Sequence, residues 1–489
     1  MTIDIMDLPN NALLKIFDFF VDGNDDIGAW HPLVHVCRKW RNIAFGSPRH
    51  LNLDLRCTAG KQAVRELLDT WPDLPIVVKL YDPPTTSWGV DNVVAAAAPL
   101  AHTDRVYENE ISLGMHMVAI SPLEVICAAM RVPFPVSIRL KFLPELEPAP
   151  IAPNDSFLGR SSPRLRSLYL GRVPFPGLPA LLLSSTDLVR LTLRHIPYSG
   201  YNISPDTMVR CLSVLTSLES LCLEFEFPRP RRIQNTGRPP PQTRSALPAL
   251  TYFSFRGVTE YLEDLVARID TPFLEELHIM FFHQLTLDTS QLAQLISRTP
   301  NLNAHNEAQV VFLDDAVQVL LGSMQQISIR TTCKAPDWQL SFVSQVCNSS
   351  LSLIPSLEHL YICEDRNSRA RWPDDIKNDQ WLEVLHSFTN VKYLYLSEGI
   401  VPHIAPTLQE LVERPGRLTE ILPVLESLFL EEPHPSGLID ESRPSEPVQE
   451  AIRVFIAARR LSKRSSHSSR NWRERRTSVI SQRFTGLFD

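Results

Sequence analysis

The residues able to do chemistry are few. His31-Pro32-Leu33-Val34-His35-Val36-Cys37 offers donors at i, i+4 and i+6, but Pro32 sets His31 ahead of the helix and no second ligand pair follows, so no metal site is read. The eight cysteines (37, 57, 127, 211, 222, 333, 347, 363) are scattered without a C-x-x-C pair, the pattern of reduced thiols used as small apolar side chains. No G-x-G-x-x-G, P-loop, G-x-S-x-G or H-E-x-x-H occurs, and no catalytic constellation or cofactor site is found. Arg459-Arg460-Leu461-Ser462 and Arg475-Arg476-Thr477-Ser478 fit a basophilic kinase, in a tail rich in arginine and serine.

The more promising groups are aromatic. His359, Tyr361, Tyr393, Tyr395 and Phe429 each stand beside apolar residues of an L-x-x-L-x-L run. In an extended chain, alternate side chains point to opposite faces. Tyr361, Tyr395 and Phe429 then occupy one register on successive parallel strands, about 5 Å apart laterally. Two readings are open: a hot spot for a protein partner, or rings that pack only on one another or under a covering segment. Earlier runs present Arg190, Thr192 and Arg194, or Glu276 and His278, at these positions.

These side chains need a repeated scaffold. The runs recur at Leu165/Leu168/Leu170, Leu188/Leu191/Leu193, Leu218/Leu221/Leu223, Leu250/Phe253/Phe255, Leu274/Leu277/Ile279, Met324/Ile327/Ile329, Leu357/Leu360/Ile362, Val391/Leu394/Leu396 and Leu425/Leu428/Leu430. The doubled gap after Leu274 predicts a degenerate unit near Ala308 to Leu313, and the period of roughly 29 residues is at the long end of leucine-rich repeats. Helical spacing fills the intervals, as at Met208–Leu215 and Leu292–Ile296. One strand and one helix cannot bury their own apolar faces, but stacked copies can. The expectation is an α/β solenoid, a parallel sheet lined by helices.

Weaker strand signals at Leu51–Leu55, Pro75–Leu80, Ile111–Leu113 and Val136–Leu140 predict irregular early repeats. Proline-rich segments at Pro144–Asp155 and Pro228–Pro248 read as loops leaving the array; the second holds six prolines and five arginines and no acid. Val448–Leu461 has apolar residues at helical spacing, placed to cap the last repeat, and Ser462–Asp489 reads as a disordered basic tail.

Composition agrees. An apolar share of 44% and a charged share of 21% suit a chain with a large core, and 17 glycines among 489 residues argue against phosphate-cradling loops. From Arg459 onward there are nine basic and two acidic residues, whereas residues 1–458 hold 39 and 53. An acidic body argues against nucleic acid as its main partner. No apolar run is long enough for a membrane span, and the acidic start does not suit a secretory signal. A cytoplasmic or nuclear protein is expected.

Residues 7–45 stand apart. Leu13, Ile16, Phe17 and Phe20 make one helical stripe, with Asp7 as N-cap and Pro9 in the first turn. After an acidic loop, Val21–Asp26, a second helix carries Leu33, Val36/Cys37, Trp40 and Ile43/Ala44. Forty residues cannot bury two such stripes internally, so part of this surface must dock elsewhere.

Asp7-Leu8-Pro9-x-x-x-Leu13-Leu14-x-Ile16-Phe17, followed by Val36-Cys37-Arg38-x-Trp40-Arg41-x-Ile43-Ala44, resembles an F-box. With its repeats and closing helix, the whole chain is similar to the large fungal F-box/leucine-rich-repeat families. The resemblance implies a substrate receptor of an SCF-type cullin–RING ubiquitin ligase. Leu8, Pro9, Leu13, Ile16, Phe17, Val36, Cys37 and Trp40 would bind the Skp adaptor and through it a cullin, and the concave repeat face would hold a target protein. The sequence departs from the family at Asp22–Pro32, which is longer than the usual inter-helix segment and holds Trp30-His31-Pro32. The expected organisation is F-box 1–48, early repeats 49–164, leucine-rich array 165–446, capping helix 447–461 and tail 462–489. The rival expectation is a leucine-rich interaction scaffold outside any ligase; an enzyme has no supporting motif.

Overall fold

The computed structural model describes residues 8–22, 31–46, 55–57, 76–81, 106–113, 137–142, 162–172, 175–196, 203–226, 244–282, 287–303, 305–322, 326–350, 357–365, 372, 376–414, 420–431 and 446–464. Two compact units divide the chain, Met1–Glu226 and Phe227–Asp489.

The first unit begins with three helices, α1 (Asn10–Asp22), α2 (His31–Val36) and α3 (Arg38–Gly46). Two were expected; the apolar spacing runs on through Cys37, but the backbone breaks there. The break is held by local bonds: the Trp40 amide donates to Cys37 Sγ (3.4 Å) and Arg41 Nε to the Val34 carbonyl (2.9 Å). Val21 and Asp22, expected in the loop, belong to α1. Lys39 Nζ donates to the Leu8 carbonyl (3.0 Å), tying α3 back to the start of α1.

Seven strands of this unit pair in chain order, all parallel: β1 (Leu55–Cys57), β2 (Ile76–Tyr81), β3 (Val106–Leu113), β4 (Ser137–Phe142), β5 (Ser167–Gly171), β6 (Arg190–Ile196) and β7 (Ser220–Phe225). The first four overlap the weak strand signals; Leu51–Leu53 and Pro144–Asp155 lie outside the described residues. Helices α4 (Leu178–Ser184) and α5 (Pro205–Leu212) fill the last intervals and pack on each other. Ser204 caps α5 by accepting from the Thr207 amide (3.2 Å). The paired leucines of each run (Leu168/Leu170, Leu191/Leu193, Leu221/Leu223) are all buried.

In the second unit a short ladder, β8 (Ser245–Ala246) with β10 (Ile269–Asp270), uses residues read from sequence as the end of a loop. Its main sheet holds β9 (Tyr252–Gly257), β11 (Glu276–Phe281), β12 (Glu307–Phe312), β13 (Ala316–Leu321), β14 (Ile327–Thr332), β15 (His359–Glu364), β16 (Tyr393–Ser397) and β17 (Ser427–Glu431). The expectation of a wholly parallel sheet fails here. Across the sheet the order is β9-β11-β14-β13-β12-β15-β16-β17, and β13 runs antiparallel to both neighbours. The degenerate unit is a strand, β12, but it pairs with β15 and not with β11. The cause lies in the turns. Asp314 and Asp315 close a two-residue hairpin, with the Leu313 amide donating to the Ala316 carbonyl (2.8 Å), and Gly322, at φ +84°, opens the return. Tight turns join antiparallel neighbours, so the chain folds back and puts β14 beside β11.

Helices α6 (Thr259–Val266), α7 (Ser290–Arg298), α8 (Pro336–Ser350), α9 (Asn378–His386), α10 (Val401–Glu413) and α11 (Glu446–Arg464) pack in sequence, each on the next. Polar ties register them. Glu263 of α6 accepts from the Gln291 and Leu292 amides (2.6 and 2.9 Å), satisfying two donors that the start of α7 leaves open. Asn378 Nδ2 donates to Glu410 (2.9 Å), joining α9 to α10. The helix read over Val448–Leu461 is α11, and it runs to Arg464, so Ser462 belongs to its last turn and not to a tail. Arg459, 1% exposed, fixes α11 by donating to the Ile421 and Leu422 carbonyls (2.5 Å each), and burial lowers its pKa to about 10. Residues 465–489, including Ser478, lie outside the described residues.

Candidate functional site

The fold presents two surfaces. On β15, β16 and β17 the apolar residues Leu360, Ile362, Leu394, Leu396 and Leu428 point into the core, which leaves the alternate positions on the open face. Register then does the rest: Tyr361 lies opposite Tyr395, and Tyr395 opposite Phe429. Their rings stack at 4.2 and 4.6 Å between centroids with 10° between planes. One row below, His359 stacks on Tyr393 at 4.6 Å, and its Nδ1 lies 3.4 Å from the Tyr395 hydroxyl. All five are half-buried. Rings stacked face to face cover each other's faces, so what this ladder offers a partner is chiefly edges and hydroxyls. That suits contact with a protein surface that is partly apolar and partly polar.

On the helix side of the sheet, opposite the ladder, stands a group that sequence reading missed. Trp372 packs on Phe312 (5.1 Å), Trp381 (5.7 Å) and His403 (5.1 Å), and its indole N–H donates to the Glu364 carboxylate. Gly399 lies against that carboxylate; a Cβ there would overlap Glu364 Oε2. Burial, reinforced by Asp314, pushes the Glu364 carboxyl up to about 7. Trp372 lies between repeats, where no strand or helix period marks it.

The second surface is on α1–α3. Leu13 and Phe17 are fully buried, and the Phe17 ring meets Trp40 at 4.8 Å, so these two are the internal core of the module. Leu8, Cys37 and Trp40 are half-buried, and Pro9 is exposed. Ile16 and Val36 face outward at 42% and 56% exposure, joined by Phe19 at 84%. Phe19 lies off the i, i+3, i+4 stripe, which is why periodicity passed over it. A shallow cleft of about 490 Å³ between α1 and α3 is lined by Asn10, Leu14, Lys39, Asn42 and Ile43.

Among the described residues there is no group of three or more His, Cys, Asp or Glu able to hold a metal, and no helix is long and apolar enough to cross a membrane. His31 opens α2, where Pro32 was expected to set it outside the helix. No protein-family model matches the chain, and no curated protein matches it either.

Proposed function

We propose that the chain is a non-catalytic substrate receptor of an SCF-type cullin–RING ubiquitin ligase: an F-box at α1–α3 binds a Skp adaptor, and a leucine-rich-repeat solenoid selects the target, in the cytoplasm or nucleus. The reading rests on the F-box-like motifs of residues 7–45 and is supported above all by one observation. Once Leu13 and Phe17 have been spent on the core of the three-helix module, Pro9, Ile16, Phe19 and Val36 still lie outward. Large apolar side chains exposed on small helices suit burial in a partner's groove. The half-buried aromatic ladder supplies the second surface such a receptor needs.

The full burial of Leu13 and Phe17 also favours a second reading, in which the module is structural and the chain is a leucine-rich scaffold. Co-purification with a Skp adaptor separates them. Ile16→Asp and Val36→Asp change outward side chains and should leave folding intact. The receptor reading expects the parent to bind and each variant to lose at least ~30-fold in affinity, corresponding to the ~2 kcal/mol or more of an anchor residue. No adaptor binding by the parent establishes the scaffold.

A further inference from the structure

α11 packs on α10 through one face. Ala451, Ile452, Phe455, Ile456 and Arg459 are buried at i, i+1, i+4, i+5 and i+8, while Arg453 and Val454 face outward. The stripe is apolar until its last member. Arg459 has its guanidinium 5.8 Å from the Phe455 ring centroid, and its Nη2 donates to the Ile421 and Leu422 carbonyls. Among the described residues no carboxylate pairs with it, and its Nε–H finds no acceptor. A cation buried on carbonyls alone has lost its water without gaining a counter-charge, so docking this turn of α11 is costly and withdrawing it is eased. The turn that receives Arg459 is itself strained. Leu422 stands at φ +50°, just before Pro423, in a region that leucine seldom adopts. Its carbonyl also accepts from the Leu425 amide (3.0 Å), and the chain then enters β17, whose Phe429 is the last rung of the ladder.

The same arginine begins Arg459-Arg460-Leu461-Ser462, the R-R-x-S order that a basophilic kinase reads, and Ser462 belongs to the last turn of α11. Such a kinase takes its substrate as extended chain, with the two basic side chains before the serine held on acidic groups of its own. One guanidinium cannot sit there and on the Ile421 and Leu422 carbonyls at once, nor can this turn be helical and extended together. We propose that Ser462 is a phosphorylation site gated by the docking of α11: closed while Arg459 holds the turn before β17, and open to a basophilic kinase when α11 withdraws. The kinase moves the γ-phosphoryl group of ATP. The Oγ–P bond forms, the bond from that phosphorus to the bridging oxygen breaks, ADP leaves, and the serine proton passes to the base of the kinase. The product opposes redocking. A phosphate at the C-terminal end of a helix works against the helix dipole, and three residues from Arg459 it competes with two neutral carbonyls for the guanidinium. Phosphorylation therefore holds α11 off its seat and unties the turn that leads into β17. This inference depends neither on adaptor binding nor on the identity of a target.

The test uses the full chain, magnesium ATP and the catalytic subunit of cyclic-AMP-dependent protein kinase, with phosphate at Ser462 quantified by mass spectrometry. A free peptide of residues 452–469 supplies the ungated rate. A segment that opens locally is modified in proportion to its open population, so the parent chain should react at Ser462 about tenfold or more slowly than the peptide. Phe455→Ala lies outside the recognised tetrapeptide and removes a buried anchor of α11. It should raise the rate in the chain severalfold and leave the rate in the peptide unchanged. Equal rates for parent chain and peptide overturn the gate, as does a folded Phe455→Ala chain that reacts no faster than the parent. A peptide that is not phosphorylated at Ser462 overturns the site itself. A second measurement needs no variant. Once Ser462 of the parent has been phosphorylated to completion, amide hydrogen exchange should quicken over 446–464 and 420–431, with 357–365 unchanged. Unchanged exchange over 446–464 overturns the claim that the modification holds α11 undocked.

Discussion

The open strand faces of the two units carry charge in opposite ways. In the first, a bulge in β6 leaves His195 at φ +51°, and the neighbouring Arg194 reaches Glu224 at 3.3 Å, while Arg172, at φ +58°, reaches Glu226 at 2.7 Å. Burial works against the Arg194 charge, yet Glu224 and Cys222 beside it leave its pKa above the ordinary value. Arg139 sits over Tyr169 at 5.1 Å. The second unit leaves the Nε–H groups of Arg256 and Arg330 without acceptors and lines up five half-buried rings on this face, while on the helix side of the same sheet Glu364 sits where burial disfavours its charge. The lesson is that the first face pairs two of its arginines with carboxylates, whereas the second leaves two buried guanidinium N–H groups without acceptors.

A charge held by burial should cost stability, and a partly exposed ion pair should add little. The larger effect is at Glu364. Its folded pKa, about 7, lies above the ordinary 4.5, so the folded chain holds this proton more tightly. Between those values the folded state binds more protons than the unfolded, and stability falls as pH rises. Glu364→Gln keeps an acceptor for Trp372 and removes the charge. The variant should equal the parent near pH 4 and exceed it by about 1–2 kcal/mol at pH 8 in denaturant titrations, a range discounted for the group's partial solvent access. A variant weaker than the parent at pH 8 would show an ionised, well-solvated carboxylate and break the contrast. The smaller effect is at Arg194 and Glu224, which are 48% and 17% exposed. A double-mutant cycle to alanine should give a coupling of about 0.2–1 kcal/mol that shrinks in salt. Coupling near zero would mean the first face is no more satisfied than the second.

Much of the scaffold was legible because strand alternation is a local signal. Leu191/Leu193 and Leu394/Leu396 point inward as their spacing demands, and the same alternation puts Tyr361, Tyr395 and Phe429 in one row from the sequence alone. Strand order is not local. Ala316–Leu321 lacks the L-x-x-L-x-L signature, so β13 went unread, and with it the reversal that brings Arg330 beside Met280. The Arg256–Met280–Arg330 row was therefore invisible, since it joins positions that only the fold-back makes neighbours. In the helical module, continuous apolar spacing concealed the break at Cys37, and the stripe could not show which of its members turn inward: Phe17 is sealed while Ile16, its neighbour, is not.

On the proposed reading, the outward apolar residues of α1 and α2 would contact a Skp adaptor, and the strand face of the second unit would take the target separately. Hydrogen exchange of the full chain with and without a purified adaptor tests it most directly. Slowed exchange over 8–22 and 31–46, with the amides of β15 to β17 unchanged, is the predicted result. Unchanged exchange in those helices at saturating adaptor would contradict it.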